Sequence, residues 1–391
     1  MEGPTGVVVA GAGARGAYEA GALSVLVPRL VADEAAPTVL VGTSAGALNV
    51  VGLAGQAHLG WEAAARRLVE MWSAVRLNQV LDVRTDLAET GLRYGGQLLG
   101  LPVRLPSVFD TRRQRATLSG LLSFDALHRN VATGPVDAVA VATTSVATGD
   151  TVVFVERKPS VPLPPDDDAR GIRYVDTELT VEHVLASSAV PVAFRPVEVT
   201  TPSALAGWYV DGGVRLNVPL KPALALGARR LGVVASSPAR RPPASPAGAS
   251  PDVFAVAAVT LRSLLADRMV EDLHTLATVN ELVGGRRSLA GRVSVPFLFA
   301  GPPANQAGAV GALADDVVRS SFSGLHGFRL PDEWLLDRLV GGGAADHGEL
   351  LSFLLFTGEF TRPAAALGAR HTRASLGSAG TWRTTLAGAG G

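Results

Sequence analysis

The 391-residue sequence contains no cysteine. Disulfide staples, thiolate metal sites and a cysteine nucleophile are excluded together. It also lacks an excess of charge of either sign: 35 Lys and Arg residues balance 35 Asp and Glu residues, for a formal net charge of zero. No long basic stripe runs along it, so the electrostatic footprint of a nucleic-acid binder is missing. Runs of about 20 uncharged apolar residues, the length that spans a bilayer, are missing too. The N-terminus passes from Met1-Glu2-Gly3-Pro4 straight into an apolar strand, without the basic region and long apolar stretch of a signal peptide. A cytoplasmic protein, free or peripheral at a membrane, is expected. No cofactor and no metal are expected, because no His, Asp and Glu set has ligand spacing and no twelve-residue Ca²⁺ loop occurs.

What is present is a large apolar fraction, 47% of residues, enough to bury the core of one large domain or two ordinary ones. Gly6 to Ala10 reads as a short buried strand that ends in the loop Gly11-Ala12-Gly13-Ala14-Arg15-Gly16. Leu23, Leu26 and Leu30 then recur at helical spacing, and Thr38 to Val41 forms a second strand ending at Gly42-Thr43-Ser44-Ala45-Gly46. From Trp61 to Val75 the pattern is helical again. Buried strand, glycine turn and helix in alternation predict a mainly parallel sheet covered on both faces. Further strands are expected at Ala138–Thr143, Thr151–Glu156, Trp208–Val210 and Leu231–Ala235, and Val161–Asp168 reads as a surface loop. Ser236–Pro251, rich in Pro, Ser and Ala, reads as a loop or linker, and Phe254–Val283 as one long helix. Phe254–Val283 and Leu350–Phe356 are expected to be core-packing helices, with an amphipathic docking surface as the alternative. The segment Gly377–Gly391 is expected to fray.

Three short motifs carry chemistry. Gly42-x-Ser44-x-Gly46 between a strand and a helix has the form of a nucleophile elbow, where small residues leave the serine hydroxyl uncrowded. A plain connecting turn is the other reading. Gly11-x-Gly13-x-x-Gly16 fits a dinucleotide fingerprint, but that fold places an acidic residue at the end of the second strand, and Gly42-Thr43-Ser44 stands there instead. The same loop suits an oxyanion hole of bare backbone amides, or a tight turn that needs glycine. Arg15 within it would meet an anionic head group, structure the loop, or be solvated. Of the seven histidines, His58, His128, His183, His274, His326, His347 and His371, none sits in a glycine-framed turn after a strand. Asp211 does: the apolar stretch Trp208-Tyr209-Val210 delivers it and Gly212-Gly213 turn the backbone away. It reads as a proton acceptor if burial raises its proton affinity, or as an ordinary Asp-Gly-Gly turn.

In this order the three motifs resemble the patatin-like phospholipase family, whose pattern is Gly-x-Gly-x-[Arg/Lys]-Gly, then Gly-x-Ser-x-Gly, then Asp-Gly-[Gly/Ala]. Ala186-Ser187-Ser188-Ala189-Val190-Pro191 with Phe194 and Pro196, Tyr209–Pro219 with Asn217, Asp110-Thr111 and Thr144–Gly149 are similar to the family more weakly. The resemblance is firm over residues 6–235 and loose beyond. It implies a three-layer α/β/α fold with additional C-terminal helices. Ser44 would be the nucleophile and Asp211 its base in a Ser-Asp dyad. Amides around Ala12 and Gly13 would form the oxyanion hole, although Ala12 replaces the usual glycine. The activity implied is hydrolysis of lipid acyl esters through an acyl-serine, as in phospholipase A, lysophospholipase or esterase chemistry, with transient membrane-surface contact. Acyl transfer or thioester cleavage on the same dyad is an alternative, and a nucleotide-binding regulatory module using Gly11–Gly16 is another. Malonyl-transferase relatives use a histidine base, against which Asp211-Gly212-Gly213 weighs. The expected organisation is a catalytic core at 1–235, a Pro-rich loop at 236–251, a C-terminal helical extension at 252–376 packed on the core, and a tail at 377–391. No oligomeric state, head group or acyl-chain length is specified by these residues.

Overall fold

The computed structural model describes residues 3–80, 112–191, 193–240, 268–284, 286, 288–289, 291–322, 347–379 and 382–386. The chain opens with β1 (Thr5–Val9), a 3₁₀ turn (Gly13–Arg15), α1 (Gly16–Ala32), β2 (Pro37–Thr43), α2 (Ala45–Gly55) and α3 (Trp61–Ala74). After α4 (Arg112–Leu121) and α5 (Phe124–Ala132) come β3 (Ala138–Ser145), β4 (Thr151–Arg157), β5 (Ile172–Asp176) and α6 (Val181–Ser187). Then follow β6 (Val197–Val199), β7 (Gly207–Asp211), α7 (Leu220–Ala225), β8 (Arg230–Val234), α8 (Arg268–Val283) and β9 (Phe297–Ala300). Helices α9 (Ala309–Phe322), α10 (His347–Leu354) and α11 (Gly358–Ala379) end the series, and a single helical turn at Leu77–Val80 and short 3₁₀ turns lie between the larger elements.

These strands form one sheet in the order β5-β4-β3-β2-β1-β8-β9, with β7 pairing β3 and carrying β6. Pairings among β3-β2-β1-β8-β9 are parallel, as is β4 with β5, whereas β4 and β7 run antiparallel to β3. Alternate residues serve opposite faces, as the pleat requires. Val7, Val9, Leu40, Val139, Val141 and Phe154 join one apolar core, with side chains of α1, α2, α3, α5, α6 and the C-terminal helices. Val8, Val39, Val41, Ala140, Val153 and Val155 join the other, with α7 and α8. Burial on both faces explains why the central strands are continuous apolar runs rather than alternating ones. The result is a mostly parallel sheet between two helical layers, as the sequence predicts.

Two contacts position the site. Helix α1 is clamped between the sheet and α11 at very short range: a Cβ on Gly21 would lie 1.9 Å from the Ala365 carbonyl oxygen, and one on Gly368 would lie 2.0 Å from that of Tyr18. The second is a division of labour along β3. Strand β2 pairs with β3 as far as Thr43 opposite Ala142, and β7 takes up the pairing at Asp211 opposite Thr143. Because β4 occupies the other edge of β3 throughout, β2 and β7 share one lane end to end.

Three strands, β5, β6 and β9, escape the sequence reading. The helix expected over Phe254–Val283 is seen as α8, and residues 254–267 lie outside the described part, as do 241–251 of the Pro-rich loop. Leu351 and Leu355 are each 1% exposed, so the Leu350–Phe356 segment packs into the core rather than offering a docking face. Part of the segment 377–391 lies among the described residues. Helix α11 continues to Ala379, and Arg383 exchanges two backbone hydrogen bonds with Phe297 at the outer edge of β9, while Leu386 is buried. An unpaired sheet edge is a liability, and this bridge pairs the first residue of it.

Candidate active site

Ser44 sits where β2 gives way to α2, with φ 54° and ψ −125°. A non-glycine residue in that region carries roughly 1–3 kcal/mol of strain and persists only when its surroundings impose it. They do so here. A Cβ on Gly42 would lie 2.3 Å from the Gly46 carbonyl oxygen, and one on Gly46 would lie 2.3 Å from that of Val9, so the turn closes only with glycine at both places. The Ser44 N–H donates to Ser187 Oγ at 2.9 Å, and Ser187 Oγ donates to the Ala142 carbonyl at 2.6 Å. A buried hydroxyl at the end of α6 thus ties the elbow to β3.

Asp211, the last residue of β7, arrives in the same lane from the opposite direction. Its amide donates to Ala189 O at 2.9 Å, and its carbonyl accepts from Thr144 Oγ1 at 3.0 Å. The carboxyl is buried, with Oδ1 accepting from the Gly213 amide at 2.6 Å and Oδ2 without a fully formed hydrogen bond. Burial pushes its pKa up to about 7, opposed by interactions with the Ser44 hydroxyl and the Gly213 amide. A Cβ on Gly212 would lie 2.3 Å from Ala142 O, so the glycine lets the turn pass beneath β3. The structure therefore brings Ser44 and Asp211 together, with a carboxyl poised to take a proton at neutral pH.

The glycine loop divides in two. The Gly11 amide is consumed by Asn217, at 3.1 Å from Oδ1, and the Arg15 amide by Ala12 O at 3.1 Å. Among the described residues the amides of Ala12, Gly13 and Ala14 have no acceptor, nor has that of Ala45 at the start of α2. Gly11 faces the nucleophile: a Cβ there would lie 3.0 Å from Ser44 Cβ. Arg15 is neither solvated nor open to a ligand. It is 2% exposed, donates from Nε to Ser352 Oγ at 2.6 Å and ion-pairs through Nη2 with Glu349 at 2.8 Å. Of the three roles open to it in the sequence, it structures the loop.

Five of the seven histidines are engaged elsewhere, and His274 is exposed on α8. His183 accepts from the Thr180 amide at Nδ1 and donates from Nε2 to Thr201 O, with burial lowering its pKa. His371 lies between Tyr18 and Gln306, His128 against Glu156, His58 against Asn130 and His347 against Asp315. His326 and the Asp110-Thr111 pair lie outside the described residues. Sequence reasoning noticed Ser187 only within a family-like segment, and Glu349, Ser352 and Phe353 only within the loosely similar segment Glu349–Gly368, and gave none of them a role. Among the described residues no group of His, Asp and Glu is placed to hold a metal ion, and no helix is long and apolar enough to cross a membrane.

A doubly covered, mostly parallel sheet that presents a serine at a strand-to-helix elbow beside a buried aspartate defines a three-layer α/β/α protein with a candidate nucleophile and a candidate proton acceptor side by side. The model of the patatin-like phospholipase family matches residues 7–224, more than half of the chain, and the chain belongs to that family. The family acts on lipid esters, and its matched region contains all three motifs. Among solved structures, VipD from Legionella pneumophila is similar at 12% identity and TM-score 0.32, over 96% of this chain and 88% of that one. A likeness that distant adds nothing to the family membership. No curated protein matches the chain.

Proposed function

We propose that this chain hydrolyses acyl esters of lipids by a Ser44–Asp211 dyad. The observation that carries the proposal is the buried Asp211 carboxyl, raised to about 7, facing a strained elbow serine with no histidine between them among the described residues. Asp211 accepts the hydroxyl proton as Ser44 Oγ attacks the ester carbonyl. The carbonyl oxygen becomes an oxyanion held by the Ala12, Gly13 and Ala14 amides and by Ala45 at the positive end of α2. Asp211 then protonates the departing alcohol, leaving a fatty acyl-Ser44. Water, deprotonated by Asp211, attacks the acyl-enzyme; the fatty acid leaves and the serine regains its proton. Each oxyanion donor is worth about 3 kcal/mol of barrier. In this scheme residues 1–235 supply the catalytic core, the later helices extend it, and a lipid surface is met transiently from the cytoplasm.

A fluorophosphonate probe tests the scheme. Wild type should be labelled at Ser44, Ser44→Ala not at all, and Asp211→Asn slowly. Undiminished esterase turnover by folded Ser44→Ala would refute the nucleophile. Product analysis with a competing alcohol separates hydrolysis from acyl transfer.

A further inference from the structure

The loop that would hold the oxyanion is gripped from a part of the chain well beyond the family region. We infer that α10 is a working part of the site, with Glu349 and Ser352 acting as positioning residues that set the loop through Arg15. The inference rests on the dyad proposed above for its chemistry, though not for its geometry.

Arg15 closes the 3₁₀ turn that carries the free amides, its own N–H donating to Ala12 O at 3.1 Å. Its side chain runs away from the reaction centre into α10. Nε donates to Ser352 Oγ at 2.6 Å, and Nη2 donates to Glu349 O at 3.0 Å while lying 2.8 Å from Glu349 Oε1. Ser352 Oγ in turn donates to Glu349 O at 2.6 Å, so the guanidinium and the hydroxyl share one acceptor. The guanidinium carbon lies 4.0 Å from the centroid of the Phe353 ring, a cation–π contact. Backbone contact adds to the grip: Gly13, at φ 55°, has space for no Cβ, which would lie 2.6 Å from Phe353 O. On its other flank the loop abuts Asn217 and Ser44, where a Gly11 Cβ would lie 2.3 Å and 3.0 Å away. The loop is therefore wedged between the elbow and α10.

Helix α10 is itself fixed. Leu351 is buried, a Cβ on Gly348 would lie 2.3 Å from Gly311 O in α9, and His347 Nδ1 lies 3.1 Å from Asp315 on the same helix. A planar, five-donor guanidinium can hold Ser352 and Glu349 at once, and an ammonium cannot reproduce that fork. Amides of an oxyanion hole act only when held where charge develops. Loosening Arg15 therefore lowers turnover without removing any group that touches substrate.

The experiment uses the full-length chain and the variants Glu349→Gln, Ser352→Ala and Arg15→Lys, each checked for wild-type melting within a few degrees. Two readouts are taken. Hydrogen exchange of the peptide covering Ala12–Gly16 should accelerate in each variant. Phosphonylation of Ser44, and kcat on a short-chain water-soluble nitrophenyl ester, should fall roughly tenfold to hundredfold, with KM within about twofold and the acid limb of the pH profile unmoved. Unchanged exchange at Ala12–Gly16, or wild-type rates in folded variants with faster exchange, would overturn the inference. Wild type that is folded but never labelled at Ser44 overturns the dyad instead, and exchange alone then decides whether α10 holds the loop.

Discussion

A carboxyl that titrates near neutrality couples catalysis to stability in opposite senses. In the unfolded chain Asp211 has its ordinary pKa of 3.8, and in the folded chain it is raised to about 7 by burial. Between those values the folded state holds a proton that the unfolded state has released, so stability falls as pH rises through that window and stays low above it. Three units correspond to about 4 kcal/mol. Asp211→Asn, which keeps an acceptor for the Gly213 amide, should therefore raise stability at pH 8 and change it little below pH 4, as urea titrations at the two pH values would read. Activity runs the other way. The base works only when ionised, so kcat/KM should climb with an acid limb centred near pH 7, and a limb near pH 4 would mean that burial does not raise the Asp211 carboxyl above its ordinary value. Ser187 makes a different prediction at the same scale. Ser187→Ala strands the buried Ser44 N–H, and a loss of about 1–3 kcal/mol in denaturant titration is expected, along with slower labelling of Ser44.

At the scale of the element, the tight contacts of glycine separate packing from propensity. Within α11, Gly368 has the Tyr18 carbonyl where its Cβ would be, whereas nothing lies within 4 Å of a Cβ at Gly377. Gly368→Ala should force α1 and α11 apart and cost more than about 2 kcal/mol, while Gly377→Ala should stabilise by roughly 0.5–1 kcal/mol through helix propensity alone. Melting temperatures of the two variants, moving in opposite directions, would check this. The same contrast explains what the sequence made legible. β1, β2 and α2 are readable because double burial writes them as unbroken apolar runs closed by glycine. β5 exposes Arg173 and Asp176, three residues apart and so without a two-residue alternation, while β6 spans only Val197–Val199 and β9 only Phe297–Ala300, so neither period nor length marks them. Of the site, Ser44, Asp211 and the loop are local motifs. Ser187 binds an atom 143 residues away and Ser352 one 337 away, and no local pattern encodes such a meeting.

At the scale of the whole molecule, the sheet acts as the ruler of the site. Both side chains of the proposed dyad are referred to β3, one through β2 and one through β7, so their spacing follows from hydrogen-bond register rather than from a flexible loop. The C-terminal helices add a second restraint from outside the matched family region, and α10 and α11 hold the loop and the first helix from the same side. Burial of Phe360, Ala364 and Leu351 in the first core makes these helices part of the same apolar cluster as the site's own strands.

That shared lane on β3 has a consequence in time. During synthesis the strand bearing the serine emerges early, β3 later, and the aspartate only with β7. Until β7 docks, the nascent chain would have the proposed nucleophile without the proposed base, and on that reading it would be silent toward lipid while it is being made. Pairings so distant along the chain form late. In refolding from denaturant, labelling of Ser44 should lag the return of helical circular dichroism; simultaneous recovery would place the docking of β7 among the first events.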